Sequence, residues 1–166
     1  MPRTLAAPLM LVVSVLTGCP AAAALAGPGW GQYRDEQAGV VFDFPGHIFA
    51  ADTAEQSERG TVFTSTDGRA RIRVFGLANE AGDSPARYLR RVARPEQANF
   101  TYVRTTPRFF VAAGRRDGMI FYRRCNFAGG SGHIGCLQLD YPQRDKRAFD
   151  SVVTRISRSL RVFQQD

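Results

Sequence analysis

Thr61-Val-Phe-Thr-Ser-Thr-Asp-Gly-Arg-Ala-Arg-Ile-Arg-Val-Phe75 decides the fold. Thr61 to Ser65 is rich in β-prone residues. Asp67-Gly68 follows, and both positions tolerate positive φ, so the chain is expected to reverse there in a tight hairpin turn. From Arg69 to Phe75 the residues alternate. Ala70, Ile72 and Val74 lie on one face; Arg69, Arg71 and Arg73 lie on the other. A period of two predicts a half-buried strand in a sheet with one basic face.

Outward from this hairpin the same signals recur. Toward the N-terminus, Gly39 to Phe44 reads as a strand stopped by Pro45-Gly46, and Gln32-Tyr33-Arg34 as a short first strand. Residues 51–59 are polar and loop-like. Toward the C-terminus, Ser84-Pro85 opens a helix, with Ser as N-cap and Pro at the first helical position. Tyr88, Leu89 and Val92 give it an apolar stripe, and Pro95 ends it. Phe100 to Arg104, Phe109 to Gly114, Met119 to Cys125 and Ile134 to Tyr141 form a meander, with Asp117-Gly118 as one turn and Pro142 as its stop.

The last element repeats at helical spacing. Phe149, Val152, Val153, Ile156, Leu160 and Phe163 fall on one face, with Arg147, Asp150, Thr154, Arg155 and Arg158 opposite. A basic amphipathic helix can lie on a membrane. Here the sheet needs cover, so the helix is expected to pack on the sheet. Strands joined by tight turns are antiparallel neighbours, and helices must cover sheet faces to build a core. The expected class is α+β with a central, mainly antiparallel sheet.

The chain of 166 residues suits a single domain and excludes a large multi-domain enzyme. Sixteen Gly and nine Pro follow no repeat, which excludes collagen-like architecture, and twelve Phe with five Tyr argue against disorder.

Residues 1–26 differ in composition. Arg3 is their only charge, and Leu5 to Leu16 is the length of a signal-peptide core and too short to span a bilayer. Two processing sites are open. Ala24-Leu25-Ala26 is a small-x-small site that would leave Gly27 first. Leu16-Thr17-Gly18-Cys19 resembles the bacterial lipobox, which would lipidate Cys19. The expected organisation is a signal peptide over 1–26 and one domain over 27–166. The product would be periplasmic or secreted, or else anchored in the envelope through Cys19, with no transmembrane helix in the mature chain.

Beyond Cys19, Cys125 and Cys136 remain, an even pair in an oxidising compartment, flanking a loop with Gly129, Gly130 and Gly132. They are expected to form a disulfide stapling a hairpin, worth about 2–3 kcal/mol in the loop-entropy model. The net charge is +7, and +6 once Arg3 is removed; Lys146 is the one lysine, the other basic residues being Arg. The arginines are dispersed, in pairs such as Arg90-Arg91, Arg115-Arg116 and Arg123-Arg124. Nucleic acid is therefore not expected as a partner. An anionic protein or envelope component suits the charge.

Two segments resemble a known family. Val41-Phe-Asp-Phe-Pro-Gly-His-Ile-Phe49 is similar to the aromatic strand and Pro turn near the start of the PsbP-like superfamily. Leu139-Asp-Tyr-Pro, with Phe149-Asp-Ser-Val-Val-Thr-Arg-Ile-Ser-Arg-Ser-Leu-Arg161, resembles its final strand, Tyr-Pro and closing helix. The resemblance spans about residues 30–163 and implies a compact α-β-α sandwich, as in small exported bacterial relatives. It implies an accessory or interaction module rather than an activity. Photosynthetic members are linked to calcium and chloride retention at a membrane complex; no residue here matches a site for that.

Catalytic signatures are absent from the sequence. Ser131 near His133 lacks a G-x-S-x-G elbow, and Gly-Gly-Ser-Gly lacks the Lys-Ser/Thr of a phosphate loop. The acids Asp35-Glu36, Glu80 and Asp83 do not have calcium-loop spacing. No cofactor and no metal is expected. The reading is an exported, non-catalytic envelope module that binds a protein or an anionic envelope component. Arg69, Arg71 and Arg73, with Trp30 and Phe109-Phe110, are its candidate contacts. The alternative is a periplasmic protein that binds a small molecule or ion, with weak enzymatic activity. It would need a pocket beside His47, His133 or Tyr122.

Overall fold

Asp67-Gly68 turns the chain as its residue types require. Gly68 adopts φ +72°, its N–H donates to the Ser65 carbonyl at 2.8 Å, and Ser65 N–H donates to Ala70 at 2.9 Å. The Asp67 carboxylate accepts from the Ser65 hydroxyl and the Arg69 backbone N–H. These bonds, the Ser65 one foremost, lower its pKa to about 2.

The computed structural model describes residues 29–51, 54–57, 60–92, 99–129 and 132–163. The expected signal peptide, Cys19, Pro95 and Ser131 lie outside the described residues. Around the hairpin, the elements are β1 (Trp30–Asp35), β2 (Val40–Pro45), β3 (Glu55–Ser57), β4 (Gly60–Thr64), β5 (Arg71–Ala78), α1 (Pro85–Val92), β6 (Phe100–Thr105), β7 (Phe109–Arg116), β8 (Met119–Phe127), β9 (His133–Pro142), α2 (Lys146–Ser159) and β10 (Arg161–Val162). β3 is a short strand inside the segment expected to be loop. The large sheet has the order β3-β4-β5-β9-β8-β7-β6, and a small sheet the order β1-β2-β10. The pairings are antiparallel. The chain is an α+β fold with a C-terminal helix on a mostly antiparallel sheet.

One face of the large sheet, face A, carries the main core. Ile72 and Val74 of β5 and Leu137, Leu139 and Tyr141 of β9 meet Val152 and Ile156 of α2 and Val40, Phe42 and Phe44 of β2. Phe42 and Phe44 share one side of their strand, as the alternation predicts. The Phe63 ring lies 4.8 Å from Tyr33 and 4.9 Å from Phe44, both edge-on. Burial of each such ring contributes on the order of 1.5–3 kcal/mol.

The opposite face, face B, is covered by α1 at one end. Ser84 caps this helix, its hydroxyl accepting from Arg87 N–H at 3.3 Å. Tyr88 and Leu89 then pack on Phe110, Ala112, Cys125, Ile134 and Cys136. The expected disulfide is present within this cluster: Cys125 and Cys136 are directly opposed on β8 and β9 and both buried. Among the described residues, the other end of face B has no helix over it.

The last helix is shorter than its apolar spacing predicts. It stops at Ser159, and Leu160 takes an extended conformation with ψ 122°. Arg161 and Val162 instead pair with Val41 and Val40. Leu160 is still fully buried and Val162 packs against the core, while Phe163 lies against the Arg34 guanidinium. The sheet ladder, not a further helical turn, satisfies the backbone there.

Candidate functional site

Face B changes chemistry midway along each of its central strands. On β9, Ile134 and Cys136 give way to Gln138 and Asp140. On β5, Phe75 gives way to Arg73 and Arg71, and on β8, Phe127 and Cys125 give way to Arg123. The register aligns these changes: Arg73 faces Gln138, Gln138 faces Arg123, and Arg71 faces Asp140. The apolar half lies beneath α1. The polar half is the floor of an open groove of about 450 Å³, walled by Val62, Arg71, Arg73, Arg116, Met119 and Phe121.

Gln138 organises this floor. Its Oε1 accepts from Arg123 Nε at 3.0 Å and from an Arg123 terminal nitrogen at 2.7 Å, while its Nε2 donates to both Asp140 oxygens, at 3.1 and 2.8 Å. Burial raises the pKa of Asp140. The Gln138 hydrogen bond and the charges of Arg73, Arg123 and Arg116 oppose that rise. Arg71, Arg73 and Arg116 are exposed, and among the described residues none is within ion-pair distance of a carboxylate. The groove therefore presents cationic guanidinium groups above a half-buried carboxylate. It can form charge-assisted, bidentate hydrogen bonds to an anion.

The three arginines singled out in the sequence do not act alike. Arg71 and Arg73 stand free on the groove wall. Arg69 sits in the hairpin turn, and its guanidinium is held by Asp67 at 2.8 Å and Asp145 at 3.3 Å. Arg116, on the far wall, was not reached from the sequence, nor was Arg123 on the floor. The signal for Arg123 is the loss of apolar character at alternate positions of β8 and β9; for Arg116 it is the end of the apolar run of β7 at Arg115-Arg116.

The candidate contact aromatics are mostly committed elsewhere. Phe110 is fully buried under α1, because its place in the strand alternation puts it on the covered part of face B. Phe109 is half-buried on face A, with the Arg124 guanidinium 4.0 Å from its ring centroid. Trp30 packs beside His47 at 5.6 Å and under Arg155 at 4.3 Å.

The histidines and Tyr122 lie apart. His47 is exposed beside a cavity of about 300 Å³ whose polar lining includes the paired Asp67, Arg69 and Asp145. His133 is wedged between Gly39 and Gly76, where an added Cβ would approach its ring to 2.8 Å, and its Nε2 lies 2.9 Å from the Ala38 carbonyl. This contact ties the β1–β2 turn to the large sheet. The Tyr122 hydroxyl is 2.6 Å from Ser157 Oγ, which joins β8 to α2. Burial raises its pKa. Among the described residues no cluster of three His, Cys, Asp or Glu could hold a metal ion, and no helix is long and apolar enough to cross a membrane.

No family model and no curated protein matches the chain. Solved structures do. The chain is similar to the solution structure of cyanobacterial PsbP (CyanoP) from Synechocystis sp. PCC 6803, with a TM-score of 0.57 and 12% identity over 89% of this chain and 99% of that one. It is also similar to the Ran-binding protein Mog1p of Saccharomyces cerevisiae, with a TM-score of 0.53 and 10% identity over 81% of this chain and 95% of that one. A point mutant of Mog1 gives a TM-score of 0.54 and 9% identity, over 82% and 97% of the two chains. The fold is PsbP/Mog1-like, in agreement with the resemblance in the sequence. At these identities the likeness is one of fold.

Proposed function

We propose that this chain is an exported, non-catalytic binding module of the bacterial envelope, and that it captures an anionic segment of a partner protein in the arginine groove of face B. One observation carries the reading. The half of face B beyond α1 is lined by Arg71, Arg73 and Arg116 together with Asp117 and Asp140, and among the described residues none of the three arginines is within ion-pair distance of a carboxylate. A sheet face left open and charged is ready for a partner, because arginines there meet an incoming carboxylate in fixed geometry.

Two further points support it. The residues typical of catalysis do not converge: His47, His133 and Tyr122 sit on separate elements, each engaged by its own neighbours. Mog1p, a protein of similar fold, is a Ran-binding protein, so the architecture is compatible with protein binding. Export rests on the composition of residues 1–26, with Cys19 as the lipidation site if the lipobox is used.

The test is capture from envelope extract by the tagged chain, compared with its Arg71→Glu/Arg73→Glu variant. The expected result is a salt-sensitive partner that the variant loses while its melting temperature stays within a few degrees of the wild type. Equal capture by both proteins would remove the groove from the account. A large fall in melting temperature would make the arginines structural.

A further inference from the structure

β6 ends the large sheet, and among the described residues nothing pairs with its outer edge. The direction of its free backbone groups follows from the turn that starts it. Thr106 N–H donates to the Phe109 carbonyl at 2.8 Å, so this is a hydrogen-bonded pair. Such pairs alternate along an antiparallel ladder. With Thr105 opposite Phe110, Arg104 opposite Val111 and Val103 opposite Ala112, the Arg104 backbone bonds inward to β7. The N–H and C=O groups of Val103 and Thr105 point outward.

The side chains of this edge are unusual in two ways. Tyr102 is 51% exposed and Val103 47%, the two most exposed large hydrophobics among the described residues. On face A, Arg104 stands in one cross-strand row with Val111 and Arg124. Arg124 is held by neutral partners only: Nε donates to Asn126 at 2.8 Å, a terminal nitrogen donates to Ser157 at 3.3 Å, and Phe109 lies beneath. Arg161, nearby, donates to the last carbonyls of α2. Among the described residues no carboxylate pairs with Arg104, Arg124 or Arg161. Burial lowers the Arg124 pKa, and the charges of Arg161 and Arg104 push it the same way.

An exposed edge with apolar side chains is a template for another strand. The charge selects which. A second copy of this chain would bring its own Arg104 and Arg124 to the same edge, and its net charge is positive. Like charges across such a contact oppose pairing.

We propose that the free edge of β6 takes up an extended, acidic segment of a partner protein by strand addition, with its carboxylates on the Arg104 side and its apolar residues on the Val103 side. This site is separate from the arginine groove and stands without it.

The probe is a fluorescent peptide of alternating Glu and Val, with an alternating Lys and Val peptide as control, titrated into the intact chain and followed by anisotropy. The acidic peptide is expected to bind and the basic one not to. Val103→Pro removes one outward donor without touching the β7 ladder and should weaken binding about tenfold. Arg104→Glu should weaken it about fivefold or more. In Arg71→Glu/Arg73→Glu, which lacks the groove's charge, peptide should still slow hydrogen exchange at the Val103 and Thr105 amides. In the wild type, peptide should slow hydrogen exchange at the Val103 and Thr105 amides, a readout that does not depend on any variant folding. The proposal is overturned if those amides are not protected. It is equally overturned if both peptides bind alike, if the groove variant alone loses the peptide, or if the chain self-associates through β6 without taking up the peptide.

Discussion

Gln138 donates to Asp140 at 2.8 Å while accepting from Arg123 at 2.7 Å, so one amide stands between the groove's half-buried carboxylate and its floor arginine. Asp140 thus sits among cations without a direct ion pair among the described residues. Its burial, more than any neighbour, sets its acidity.

This arrangement predicts a pH-dependent stability. The pKa of Asp140 is raised on folding, so its protonated form is favoured in the folded state. Its contribution is fully present below the ordinary carboxylate pKa and is lost as pH rises through the raised value. Asp140→Asn keeps an acceptor for Gln138 and removes the buried charge. Thermal melts should show the variant at least as stable as the wild type at pH 7, with the difference shrinking as the pH falls through the raised value and constant below about 4. A variant destabilised at pH 7 and equal to the wild type in acid would show that the arginines more than offset the burial of the charge.

The two neighbouring phenylalanines should separate cleanly. Phe110 is fully buried beneath Tyr88, so Phe110→Ala should cost about 3–5 kcal/mol in denaturant unfolding. Phe109 is half-buried and stacks under Arg124, so Phe109→Ala should cost about 1 kcal/mol. Similar losses for the two would contradict the strand alternation described for β7.

The Cys125–Cys136 bond closes a hairpin with a sequence separation of 11. Replacing both cysteines by Ala should lower stability by about 2–3 kcal/mol, measured by urea unfolding. Because the pair lies under α1 and does not line the arginine groove, partner capture by the folded variant should be unchanged.

Much of this fold was legible in the sequence, for a physical reason. Period-two alternation over 69–75, the Asp-Gly turns and the Ser84-Pro85 cap are local signals, and the structure follows them. The boundary of α2 was not local. Val152, Ile156, Leu160 and Phe163 keep helical spacing, yet β2 supplies a ladder that draws Arg161 and Val162 out of the helix. The groove was half legible. Arg71 and Arg73 follow from the alternation, but Arg116, Arg123 and Asp140 join them only through cross-strand register. Arg69 also borders the groove, but its guanidinium is already engaged by Asp67 and Asp145, two partners that the alternation does not reveal. Phe110 looked like a contact residue because a single sequence does not show that α1 returns over β7.

The most direct test of the account places a photo-crosslinking residue at Met119, on the groove wall, and at Glu80, outside the groove, in the chain expressed in its native envelope. The account predicts a discrete crosslinked partner from position 119, none from position 80, and loss of the product when Arg71 and Arg73 are both changed to Glu. Crosslinking that is equal at the two positions, or that survives the double charge reversal, would contradict the claim that the arginine groove is the docking surface.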